Sequence, residues 1–283
     1  MERTLKLSNG VEMPRLGFGV FQIPEGPECE RVVTEAIAAG YRLIDTASSY
    51  GNERSVGRAV KRAVETGLVR REELFITTKA FIEEMGEVKT REAFERSIDR
   101  LGLDRIDLYL VHMPLGDYHG AWRALEALYE AGRVRAIGVC NFGAARLMDL
   151  CFTSRIRPMV DQIECHPHYQ RTAELEEIRS LGVVPQAWAP FAEGLKGTFT
   201  DPVLSRIAEK HGRTTAQVML RWNLERGLSV IPKTVHAERM KENANVWDFA
   251  LDDLDRADIA QLDTGAPSML DVERPSEVKR LYD

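Results

Sequence analysis

The chain has 283 residues, 44% of them hydrophobic and 29% charged, so it carries enough apolar material for one core and is not of disordered composition. A formal charge of −6, with no Lys/Arg run denser than the short VRREE stretch, gives no electrostatic basis for nucleic-acid binding. The opening MERTLKLSNG has no apolar leader core and no stretch nears the roughly 18 uninterrupted apolar residues of a membrane span, which reads as a soluble cytoplasmic protein.

Residues 4–14 (TLKLSNGVEMP) alternate apolar and polar side chains around Asn9-Gly10, which predicts a two-stranded hairpin serving as a lid or plug. Short apolar strands then alternate with helical segments. RLGFGV precedes a helix over 28–39, RLIDT a helix over 53–65, LFITTK a helix over 90–101 and DLYLVH a helix over 121–131. AIGVCN precedes a helix near 143–150, VDQIE a helix over 172–181, VPQAWA helical stretches over 201–211 and 214–226, and SVIPK a helix over 236–245. The remaining tail reads as one more helix and a partly irregular end folded back over one rim.

Eight strand–helix alternations without a linker predict one domain over residues 1–283, a parallel sheet closed into a (β/α)8 barrel. An open dinucleotide-binding sheet would want GxGxxG after its first strand, and GFGVFQ lacks the third glycine. Cys29, Cys140, Cys151 and Cys165 form no CxxC pair, which points to reduced thiols and away from a disulfide framework or zinc site.

The strand ends carry Asp45, Lys79, His112, Asn141, Gln162, Trp188 and Lys233, which a closed barrel gathers at its C-terminal mouth. Alone, each is as readily a loop residue, a helix cap or a structural histidine. Together with Tyr50 they make coherent chemistry. A phenol with a pKa near 10 is a poor acid at neutral pH. A nearby ammonium from Lys79 lowers that value, and Asp45 keeps a buried lysine charged. An N–H of His112 then orients a substrate oxygen.

DTASSYGNE, ITTK, DLYLVHMP, GRVRAIGVCNF and VDQIECHPHYQ, in this order, resemble the motifs of the aldo-keto reductase family, over nearly the whole chain, with a likeness to bacterial and plant-type members such as diketo-gluconate and methylglyoxal-type reductases. The resemblance implies a barrel that binds NADPH rather than NADH and, as a monomer, reduces aldehydes or ketones, with Asp45, Tyr50, Lys79 and His112 as the catalytic tetrad. It implies a cofactor site of Gly19, Val20, Asp45, Cys140, Asn141, Gln162, Trp188, Ala189 and Phe191. Lys233, Thr234 and Arg239 would hold a 2′-phosphate and Glu242 and Asn243 the adenine. Phe21, Phe81 and His112 would line the substrate pocket, with no metal despite the His166 and His168 of ECHPHYQ.

Some positions depart from the family pattern. Cys140 stands for a usual serine, Asp161 for asparagine, Trp188 for tyrosine, and Phe21 and Phe81 for tryptophans common in animal members. Two rival readings are a Schiff-base aldolase using Lys79 or Lys233 and a cofactor-binding regulatory protein without turnover.

Overall fold

The computed structural model describes all 283 residues. Strands β1 (Thr4–Lys6) and β2 (Glu12–Pro14) pair antiparallel as the expected hairpin. Asn9 donates to the carbonyl of Arg135 at 2.9 Å near the start of a barrel strand, so the hairpin plugs the N-terminal end of the barrel.

The eight parallel strands follow in chain order: β3 (Gly17–Gly19), β4 (Leu43–Asp45), β5 (Phe75–Ala80), β6 (Ile106–Val111), β7 (Val134–Cys140), β8 (Val160–Glu164), β9 (Val184–Trp188) and β10 (Ser229–Val230). Each pairs with the next, and a parallel bridge between Leu16 and Val230 brings the last strand back to the first. Their side chains are almost entirely buried, as expected of parallel strands covered on the outside by helices.

The outer layer is α1 (Pro27–Ala38), α2 (Glu53–Glu65), α3 (Glu87–Leu101), α4 (Tyr118–Glu130), α5 (Ala144–Thr153), α6 (Thr172–Ser180), α7 (Pro202–His211), α8 (Thr215–Glu225) and α9 (Ala237–Ala244). Some helix starts follow caps that hydrophobic spacing does not reveal. The Asp117 carboxylate accepts from the Gly120 amide at 2.8 Å, so α4 begins three residues before the apolar pattern predicts. Gly57 is required by packing: a Cβ there would run into the Leu101 backbone, so α2 and α3 approach at the closest possible distance.

The tail differs from expectation. It holds two helices, α10 (Asp253–Ala260) and α11 (Pro275–Tyr282), where one helix and a partly irregular end were expected. Residues 192–200 after β9 form 3₁₀ turns joined through left-handed backbone at Glu193, Gly194, Lys196 and Gly197.

Candidate active site

The strand ends open into one cavity of about 1000 Å³. Gly19, Phe21, Asp45, Tyr50, Phe81, His112, Cys140, Asn141, Gln162, Trp188, Ala189, Phe191, Lys233, Thr234 and Arg239 all line it. Residues far apart in the chain therefore meet at the mouth.

Tyr50 reaches the cavity from a 3₁₀ turn after β4. Buried Asn52 pins this loop: its amide donates to the carbonyls of Val20 (2.9 Å) and Ile23 (2.8 Å), and its Oδ1 accepts from the Thr46 hydroxyl (2.7 Å). Beneath the phenol lies Lys79, fully buried in β5. Its ammonium donates to Asp45 Oδ1 at 2.5 Å, to the Thr46 carbonyl at 3.0 Å and to the Tyr50 oxygen at 3.3 Å. The phenol oxygen thus accepts from lysine, and its own O–H is left to donate elsewhere.

Burial pushes Tyr50 above the ordinary phenol value, and the neighbouring ammonium pulls it only part of the way back. The sequence-based expectation of a lowered phenol pKa is therefore corrected: desolvation outweighs the lysine. Burial likewise raises Asp45, with Lys79 and Gln162 opposing it. Lys79 ends above the usual lysine range, because the attraction of Asp45 and the other nearby groups more than offsets its own burial. The attraction between the two charges favours the ionised pair against the burial of Asp45.

His112, at the end of β6, packs edge-on against Tyr50 (ring centroids 5.7 Å apart) and Phe81 (5.3 Å), while Phe21 lies 4.9 Å from Tyr50. Burial, and then the Lys79 charge, hold the imidazole well below its ordinary pKa, so it is neutral at pH 7. Its Nδ1 is buried with no partner.

Cys140, Asn141, Gln162 and Trp188 form a second group. The Trp188 indole N–H donates to Asn141 Oδ1 at 2.9 Å, and the Asn141 amide nitrogen lies 3.2 Å from both the His112 carbonyl and Cys140 Sγ. Asn141 adopts left-handed backbone (φ 62°), which asparagine tolerates better than most residues. Gln162 donates to Asp45 Oδ2 at 2.8 Å and to Gln186 Oε1 at 2.7 Å. Its own oxygen lies 3.6 Å from the Cys140 thiol, which burial keeps protonated. Behind this group Asp161 is wholly buried with both carboxyl oxygens lacking a side-chain partner, and burial raises it well above the carboxylate range.

Four expected site residues do not line the cavity: Lys79, buried beneath Tyr50, and Val20, Glu242 and Asn243. Val20 is fully buried and donates its amide to the Asp45 carbonyl at 3.1 Å. Glu242 turns toward α8, accepting from the Thr214 hydroxyl at 2.7 Å, and Asn243 is buried with an unpartnered Oδ1. The cavity also takes in residues that strand ends do not identify: Gln22, Met113, Glu193, His236 and, from the tail, Met269, Leu270, Arg280 and Leu281. The buried Glu164 carboxylate holds the tail there, accepting from the amides of Ser268 (2.7 Å) and Leu270 (3.4 Å) and pairing with His166 (3.0 Å). The carboxylate at the end of VDQIE was the only sequence signal of this anchor.

Residues 15–264 match the profile described as the Aldo/keto reductase family. The chain is 45% identical to a glyoxal reductase of Bacillus subtilis, covering 93% of this chain and 94% of the relative. It is 43% identical to a morphine 6-dehydrogenase of Pseudomonas putida, covering 96% of each. Among solved structures, an aldo-keto reductase of Bombyx mori in complex with NADP superposes with a TM-score of 0.89 at 33% identity, over 95% of both chains.

Proposed function

The chain belongs to the aldo/keto reductase family, and on that premise we propose that it reduces aldehydes or ketones to alcohols at the expense of NADPH, with Tyr50 as the proton donor. The observation that carries this reading is Lys79 placed between Asp45 and Tyr50, so that the phenol of this cavity-lining tyrosine accepts from an ammonium and keeps its own O–H to donate.

The lining fits a nicotinamide dinucleotide phosphate. Lys233 and Arg239 lie on the cavity with no ion-pair partner, beside Thr234 and His236, and would hold the 2′-phosphate. Trp188, edge-anchored by Asn141, offers a flat aromatic wall, and Gly19, Cys140, Asn141 and Gln162 line the same cavity. Ala189 and Phe191 line the same cavity; Val20 braces the backbone of Asp45, and Glu242 and Asn243, on α9 with Arg239, would meet the adenine beyond the cavity lining. When bound, the nicotinamide supplies the hydride that reaches the carbonyl carbon.

The chain's own residues handle the oxygen. Tyr50 gives it a proton, Lys79 stabilises the phenolate left behind, and Asp45 keeps Lys79 charged. His112, being neutral, donates an N–H without repelling the ammonium, and orients the carbonyl. Phe21 and Phe81 exclude water and favour substrates with an apolar flank. Relatives named for glyoxal and for morphine suggest that small dicarbonyls and larger cyclic substrates both belong in the first assay panel. We read the protein as a cytoplasmic monomer acting on a small carbonyl compound; no helix is long and apolar enough to cross a membrane.

An aldolase reading through Lys79 is disfavoured, because imine formation needs a neutral amine and this one is held charged. The test is steady-state oxidation of NADPH with poor aldehyde substrates, where chemistry limits the rate. Tyr50→Phe is expected to lose roughly 10²–10⁴-fold in kcat with NADPH affinity intact. A variant that keeps more than about a tenth of kcat would remove Tyr50 from the role of general acid.

A further inference from the structure

Gln162, Gln186 and Ser229 occupy one level of the barrel: Gln162 is the register partner of Gln186 on β9, and Gln186 that of Ser229 on β10. All three are buried, and Gln186 and Ser229 do not touch the cavity. Their side chains form a continuous line of hydrogen bonds. Ser229 donates to the carbonyl of Pro14 in the plug (3.0 Å), Gln186 Nε2 donates to Ser229 Oγ (3.0 Å), and Gln162 Nε2 donates to Gln186 Oε1 (2.7 Å) and Asp45 Oδ2 (2.8 Å).

The direction of this line is fixed from its lower end. A carbonyl only accepts, so the Ser229 hydroxyl must spend its single proton on Pro14 and accept from Gln186. Gln186 must then present its nitrogen downward and its oxygen upward, and Gln162 must present its nitrogen to both Gln186 and Asp45. A flipped Gln162 would put its carbonyl oxygen against the Asp45 carboxylate and its NH₂ beside the Asn141 amide and Cys140 thiol. Without the lower members only Asp45 and the weak contact from the Cys140 thiol resist that flip.

We propose that Gln186 and Ser229 are positioning residues for proton donation: by locking the amide of Gln162 they supply the second donor to Asp45 and so keep Asp45 ionised against Lys79 beneath Tyr50. The proposal rests on Tyr50 being the general acid. The titratable groups around the carboxylate are Lys79 from β5, Tyr50 after β4, His112 from β6 and Cys140 from β7; the members of the line itself do not titrate. Loss of one donor shifts the Asp45 carboxylate toward its protonated form, which weakens its hold on the Lys79 ammonium.

Gln186→Met keeps the volume and deletes the relay. The expected result is a folded protein whose kcat at pH 7, measured at saturating NADPH, falls roughly tenfold and whose acid limb of kcat moves up by about one pH unit. Ser229→Ala, which removes a single oxygen, should move kcat and the limb in the same direction, and it decides the question if the methionine variant does not fold. Wild-type kcat and limb in a folded variant, beside an inactive Tyr50→Phe enzyme, overturn the relay and leave the proton donor standing. Activity that persists in Tyr50→Phe overturns the donor assignment instead.

Discussion

Asp45 and Lys79 meet at 2.5 Å with side chains 2% and 0% exposed, an ion pair with no share of solvent. Such a pair contributes little net stability over apolar replacements of the same volume, but removing one partner strands the other charge at a cost of about 3–5 kcal/mol. Asp45→Asn and Lys79→Met should each lower the unfolding midpoint sharply and lose activity. The double variant should regain much of the stability and none of the activity. Urea denaturation of the four proteins measures the coupling, and strictly additive losses would show that the two charges do not depend on each other.

His112 is held below its ordinary value of 6.5, so the unfolded chain binds this proton at a higher pH than the folded chain does. Stability therefore rises with pH across the interval between the two values and falls as pH drops through 6.5. The slope is at most ~1.4 kcal/mol per pH unit for one group. His168 is shifted the same way, so the contribution of His112 is the difference between wild type and His112→Gln, measured by urea unfolding at several pH values. Parallel stability curves would mean that His112 titrates normally in the fold.

Arg239 is exposed on the cavity and no carboxylate claims it. A charge-assisted contact to a 2′-phosphate is worth about 1.5–3 kcal/mol, or roughly one to two orders of magnitude in affinity. Arg239→Ala should weaken NADPH by that factor and leave NADH almost unaffected. Equal losses in the two titrations would make Arg239 a support for its loop and not a reader of the phosphate.

Trp188 is only partly buried, and the Asn141 side chain holds its indole edge. NADPH should quench protein fluorescence, and Trp188→Ala should reduce both the quench and the affinity. Asn141→Ala, which frees the indole edge, should weaken affinity while the tryptophan signal remains. A quench of undiminished size in Trp188→Ala would place the nicotinamide elsewhere.

Much of the barrel was readable because each strand is a short apolar run closed by a helix stop or cap, and because parallel topology sends all such ends to one mouth. Asp45, Tyr50, Lys79 and His112 were legible for that reason. Their electrostatics were less so: the rise in Tyr50 comes from side chains packed around it, which strand ends alone do not report. The tail residues Leu270 and Arg280 reach the cavity through tertiary contacts without local pattern, among them the anchor at Glu164 and the Arg146–Glu273 ion pair. Gln186 is one polar residue within the apolar VPQAWA strand, and its meaning appears only when neighbouring strands are set in register.

The bridge between Leu16 and Val230 has a consequence for the order of folding. The Pro14–Ser229 bond beside it spans 215 residues, whereas neighbouring strands such as β5 and β6 pair over a few dozen. First and last strands join through little more than this bridge and the flanking bonds from Val230 to Arg15 (2.7 Å) and from Gly19 to Pro232 (3.0 Å). Loop-closure entropy makes this the last and weakest joint of the ring, the place where amide exchange should begin. Gly19 stands on one side of the joint and Lys233 and Thr234 on the other, all facing the same cavity. An occupant that touches both sides laces the ring shut, so a saturating ligand should slow exchange at Gly19 and Val230 more than at β6, far around the circle.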